Sequence, residues 1–258
     1  MSATLGPAAK TFDLVGGFEA ADAHYQEHGW TDGLPIVPPT DDAVAEFLCW
    51  TDRDPREVLG VLPPRQGEAT VEKIAINAVM AGCKPEYLPV VITAIEALAD
   101  PLFNLDSVQA TTHPVAPLIV VNGPIGRELG INAGYNAFGQ GFRANVTIGR
   151  AVRLVLRNLL EVRPGELDRS TLGHPGKLTW CVAEDEEGGV PWRPLGSERG
   201  IPAGVSSVSS RTRAVNRTDD SYSARARSRQ NDPLLGSRRD IGTEPARERD
   251  QFGCGPAS

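Results

Sequence analysis

The segment 70–100, TVEKIAINAVMAGCKPEYLPVVITAIEALAD, decides the fold. Val71, Ile74, Ala75, Ala78 and Val79 follow the i, i+3, i+4, i+7, i+8 spacing of one apolar helix face. Gly82 supplies a stop, and Pro85 suits the first turn of a second helix running to residue 99. The connection Gly82-Cys83-Lys84 is too short for much except an antiparallel helical hairpin.

Around this hairpin the chain alternates patterns. Residues 17–28 read as a short helix with Phe18, Ala21 and Tyr25 on one side. GWTDGLPIVPPT then breaks regular structure, because its prolines and glycines do not sustain a helix or a ladder. Thr40 caps a helix, TDDAVAEFLCW, with acids in its first turn. VLGVL, before Pro63-Pro64, predicts a short strand. LIVVN at 118–122 is a buried strand, and KLTWCVA at 177–183 is another strand candidate. Residues 145–161 form the strongest helix, with Arg150, Arg153 and Arg157 as one basic stripe. The expected architecture is a single α/β or α+β domain over 10–200, with the hairpin packed on a small mixed sheet.

Composition bounds the function. The chain has 258 residues and a net charge of −7, split as −10 over 1–200 and +3 over 201–258. An acidic body repels polyanions, so nucleic-acid binding is not expected. No apolar run approaches the roughly 20 residues that span a bilayer, and the first residues carry no secretory pattern, so a cytoplasmic protein is expected. Cys49, Cys83, Cys181 and Cys254 lie far apart with no CxxC pair, which argues against a zinc knuckle and a disulfide framework. From residue 201 the text turns Ser/Arg-rich and aperiodic. It reads either as a disordered tail or as the product of a shifted frame in GC-rich DNA, and no function is placed on it.

Chemistry concentrates in 110–150, ATTHPVAPLIVVNGPIGRELGINAGYNAFGQGFRANVTIGR. Glycine packs nothing and buried amides need partners, so such a stretch is usually shaped by a ligand. His113, at the entrance of the strand, is either a general base or metal ligand, or a structural hydrogen-bonder. Asn122 closes that strand, where ligands gather in α/β folds, or it is a turn residue before Gly123. Asn132, Asn136 and Asn145, with Arg143, belong to a glycine-rich loop running into the basic helix. This is either an anion cradle or a capped helix start. The loop is neither a Walker loop nor GxGxxG, and nothing names a cofactor.

Outside this segment, Cys83 starts a helix, where a thiol pKa falls, or it fills a tight turn. Glu86 and Tyr87 share that first turn. Asp32 is either an orienting acid or the centre of an Asx-turn. His24 and His28 have metal-compatible spacing but no third ligand near in sequence, so no metal is assigned.

The phrases HGWTDGLPIVPPT, GEATVEKIAINAVMAGCKPEYLPVV, NLDSVQATTHPVAPLIVVNGP and LGINAGYNAFGQGFRANVTIGRAVRLVL resemble a poorly characterised bacterial family. That family is associated with small partner proteins carrying a (seleno)Cys-Gly-Ser-Cys motif. The resemblance covers roughly residues 25–200 and fails after about 195. It implies a thiol- or redox-linked small-molecule enzyme, or a subunit of one. Two readings follow. In the first, Cys83, His113 and Asp32 act as catalytic groups of a thiol-linked redox enzyme or lyase. The Asn/Arg loop with Glu86 and Tyr87 then holds a small polar or carboxylated substrate. In the second, the chain is a non-catalytic subunit that binds a ligand or partner.

Overall fold

The computed structural model describes residues 9–188, 191–202 and 204–214. The chain opens with α1 (Gly17–Glu27) and α2 (Asp41–Leu48), the latter capped by the Thr40 side chain accepting from the Ala43 N–H. A hairpin of β1 (Val58–Leu62) and β2 (Gly67–Thr70) leads into α3 (Val71–Met80), whose first turn is capped by Thr70. A 3-10 turn, Pro85–Tyr87, then starts α4 (Leu88–Ala99). The remaining elements are α5 (Leu105–Gln109), β3 (Val115–Asn122), α6 (Ile125–Glu128), α7 (Arg143–Leu160), β4 (Cys181–Ala183), α8 (Leu195–Glu198) and β5 (Ser207–Ala214).

The fold is mixed α/β, as the sequence indicates. One sheet is the β1–β2 hairpin; the other has the order β4-β3-β5. β3 and β4 are parallel, while β3 and β5 are antiparallel over eight pairs, from Val115↔Ala214 to Asn122↔Ser207. A parallel pair requires a long crossover, and α7 supplies it. α3 and α4 form the expected hairpin; α4 packs on β5, and α3 packs on α7. Leu88, Val91, Ile95 and Leu98 of α4 join Ile74, Leu154 and Leu156 in one continuous core. Each such side chain, fully buried, contributes about 1.5–3 kcal/mol. No helix among the described residues is long and apolar enough to cross a membrane.

Several boundaries differ from the sequence reading. α7 begins at Arg143 with Phe142 as its cap, so Asn145 is the third helical residue and not the cap. The strand expected over 177–183 is shortened to Cys181–Ala183, because Pro175–Lys177 closes into a 3-10 turn. Cys49 is exposed as the C-cap of α2. Ser207–Ala214 lies past the boundary drawn at residue 200 and forms a full strand. Its order comes from backbone pairing with β3, which needs no apolar side-chain run. The rest of the Ser/Arg-rich segment, 215–258, lies outside the described residues.

Gly149 fixes how α7 sits on the sheet. A Cβ there would lie 2.5 Å from the Trp180 N, so only glycine lets the helix rest on the backbone entering β4.

Candidate functional site

The residues singled out by sequence occupy five places. Cys83, Glu86, Tyr87 and Arg143 meet at the α3–α4 turn. The Arg143 Nε and Nη2 both donate to the Gly82 carbonyl at 3.0 Å, and Nη2 reaches the Cys83 carbonyl at 3.4 Å. Arg143 therefore closes the end of the hairpin turn. Glu86 pairs with Lys84 at 3.3 Å. Tyr87 is buried, and burial raises its phenol above the usual range.

Cys83 is buried and free. Burial pushes its thiol up to about 12, outweighing the Thr147 hydrogen bond and the charges of Arg143 and Arg150. The thiolate is the nucleophile, so this environment opposes the activated state that a helix start alone would favour. Cys181, also free and buried, is likewise pushed up by burial and by Cys83. We expect both thiols to resist iodoacetamide at about pH 8 in the folded chain and to react promptly in denaturant. Mass spectrometry of the alkylated sites checks this; rapid folded-state labelling of Cys83 contradicts the buried placement.

His113 lies elsewhere. Its N–H donates to Thr111 Oγ1, its carbonyl accepts from Ser170 Oγ at 3.0 Å, and the residue is exposed. Ser170 also donates its N–H to Asp168, which pairs with Arg153 at 2.9 Å. Arg153 is ten residues along α7 from Arg143, or about 15 Å at 1.5 Å per residue. The structure thus joins Cys83 to Arg143 and sets His113 beside the Asp168–Arg153 cluster, farther along α7.

Both Asp32 carboxylate oxygens are engaged within the fold. Its Oδ1 accepts from the Leu34 N–H, forming the Asx-turn, and its two oxygens receive Arg150 at 2.7 and 2.8 Å. Arg150 also donates to the Leu34, Pro35 and Ala81 carbonyls, and Arg157 to the Gly29 carbonyl at 3.0 Å. The basic stripe is therefore internal and ties the 29–35 segment to α7.

The asparagine loop is largely self-satisfied. The buried Asn145 accepts from the Asn132 N–H at 2.8 Å and donates to the Asn132 and Ala137 carbonyls. Asn132 bonds Gly134 N–H and Tyr135 O, and Asn136 donates to the Gln140 carbonyl. These amides shape the loop. Asn122 stands apart at the far end of β3, about 23 Å from Val115, where the strand begins, at roughly 3.3 Å per residue.

What the shaped loop does is wall a groove of about 470 Å³ against the 174–180 turn. Phe138 and Trp180 face each other edge to face at 6.3 Å, and His174 meets Trp180 at 5.1 Å. The His174 Nδ1 accepts the Gly176 N–H at 3.1 Å. Burial lowers the His174 pKa, Lys177 lowers it further, and the Pro114 carbonyl opposes them, so the ring is neutral near pH 7. Thr179 Oγ1 is spent on the Val146 carbonyl at 2.7 Å, which leaves the exposed Gln140 as the polar rim. Phe138, His174 and Trp180 were missed by the sequence reading. The signal was HPGKLTW, a histidine and a tryptophan in a chain with only 6% aromatics.

Among the described residues no trio of His, Cys, Asp or Glu is gathered to hold a metal. Comparison with protein-family models, with curated proteins and with solved structures gives no match.

Proposed function

We propose that this chain is a binding subunit that receives an apolar side chain of a partner protein in the Phe138–Trp180 groove. The observation that carries the reading is the exposure of Phe138, an aromatic side chain in the groove wall that is 69% exposed and faces Trp180. Tyr135 and Leu172 are exposed just outside the lining, close in sequence to Phe138 and His174. Aromatic side chains around a concave slot are the usual anchors of a protein interface, and a lone soluble domain has little reason to display them together.

The groove is open and mostly apolar, which suits a side chain better than a small polar substrate. The buried thiols favour the same choice between the two readings. With Cys83 held protonated, the thiol chemistry implied by the resemblance belongs on another chain. The partner class it implies is a small protein with a (seleno)Cys-Gly-Ser-Cys motif.

Sedimentation velocity of the full chain mixed with a purified Cys-Gly-Ser-Cys protein tests this. Co-sedimentation is expected, weakened about tenfold or more by Phe138→Ala, a change at an exposed position that spares the core. Separate boundaries at all ratios, or binding indifferent to Phe138→Ala and Trp180→Ala, reject the assignment.

A further inference from the structure

The other end of the sheet carries an arrangement that the groove does not use. Asn122 ends β3 and pairs in register with Ser207, the first residue of β5. The Asn122 Nδ2 donates to Glu184 Oε2 and, at 2.7 Å, to Glu186 Oε1. Two carboxylates therefore converge on one neutral amide. Glu184 takes one more donor, the Leu195 N–H at 2.8 Å, and Glu186 takes the Gly123 N–H at 3.2 Å. Among the described residues neither carboxylate makes a salt bridge. The nearby Arg127 is engaged with Glu187 instead.

A second observation is independent of the acids. Asn122 is 2% exposed, and the other edge of its carboxamide, Oδ1, has no hydrogen-bond partner. Ser207, its cross-strand neighbour, is 3% exposed and its Oγ is also unpartnered. Buried polar atoms are nearly always paired, so orphaned atoms on Asn122, whose amide both carboxylates engage, and on its cross-strand neighbour Ser207 need a reason. The backbone is drawn tight around them. Gly123 has φ 84, and a Cβ there would lie 2.7 Å from the Ser206 Cα. The position is also where α/β folds place ligands, at the carboxyl ends of parallel strands.

We propose that Glu184, Glu186, the Asn122 carboxamide oxygen and the Ser207 hydroxyl form a site for a hard divalent cation, Ca²⁺ or Mg²⁺. Every donor is oxygen, two are anionic, and no thiol or imidazole takes part; this is the ligand chemistry of hard cations. The Asn122 NH₂ now stands where positive charge is wanted. Turning the carboxamide over presents Oδ1 to the cation, whose two positive charges then balance both carboxylates in place of the two N–H hydrogen bonds that the flip gives up. Nothing in this site depends on the groove or on the partner protein.

Isothermal titration calorimetry of the full chain with CaCl₂ and with MgCl₂, after EDTA treatment and dialysis, tests it. Saturable binding of at least one ion at one site is expected. Glu186→Gln, at an exposed position that spares the fold, and Glu184→Gln are each expected to weaken binding by about tenfold or more. Asn122→Asp adds a third anionic donor and is expected to tighten binding, an outcome that simple loss of folding does not produce. Circular dichroism confirms that each variant is folded. Absence of saturable binding to the unaltered chain overturns the proposal. So does an affinity unchanged in both Gln variants, or one unimproved in a folded Asn122→Asp chain.

Discussion

Arg150→Met is expected to lower the unfolding free energy by about 3–5 kcal/mol, among the largest effects of any single change here. The Arg150 guanidinium grips Asp32 with two nearly parallel bonds of 2.7 and 2.8 Å and reaches three carbonyls. The two side chains are 12% and 4% exposed, so water cannot replace what is lost. Methionine fills most of the volume but leaves Asp32 buried with only the Leu34 N–H from its turn. That is the costly way to break a buried pair: one charge removed, the other left behind. Arg150→Lys keeps the charge but lacks the planar fork, so it recovers only part of the loss. Urea unfolding monitored by circular dichroism gives the comparison. Arg150→Met combined with Asp32→Asn is expected to cost less than the sum of the two single changes, since both remove the same interaction. Strict additivity contradicts the coupling.

That pair also shows where the sequence stops being legible. The spacing of Arg150, Arg153 and Arg157 places them on one face of α7, and they do share it. Spacing does not say whether that face meets water. Their acceptors are Asp32, Asp168 and the Gly29 carbonyl, and two of these lie more than a hundred residues away in the chain. α3, α4, α7 and β3 were readable because apolar periodicity records burial directly. β5 was not. In SVSSRTRA the buried positions include Ser207 and Ser209, and its order comes from ladder bonds to β3 that leave no mark on composition. The asparagines misled for a related reason. Asn132, Asn136 and Asn145 looked like ligand groups because buried amides demand partners, and the partners turned out to be the loop's own backbone. Phe138, on that same loop, was overlooked since an aromatic side chain reads as core until its exposure is known.

Asp168→Asn is expected to cost about 3–5 kcal/mol near neutral pH, with a pH dependence that identifies the carboxylate as the cause. Asp168 is 4% exposed and receives Arg153 at 2.9 Å, Lys177 at 3.0 Å and the Ser170 N–H at 3.2 Å. One anion thus serves two partly buried cations, and an amide in its place removes the charge that balances both. Burial pushes the Asp168 carboxyl up, but the Lys177 hydrogen bond and charge, the Ser170 N–H and Arg153 together hold it below its ordinary value. A depressed folded pKa means that the stabilisation is present in full above the unfolded value of about 3.9. It is lost as pH falls from there through the folded value. Lys177 acts in the opposite sense. Burial, helped by Arg153, lowers its pKa despite Asp168, so its charged form costs stability at neutral pH, and the cost is relieved only as pH rises through the folded value. Of the three groups Asp168, Arg153 and Lys177, acid therefore titrates Asp168, while the neighbouring His174 takes up its proton in both chains and so is common to the comparison. Urea unfolding of both chains at about pH 7 and about pH 3 is expected to show the gap between them narrowing at the lower pH. There the unfolded chain holds a proton on Asp168 that the folded one still refuses. A gap of equal size at both pH values means that Asp168 contributes through shape and not through charge.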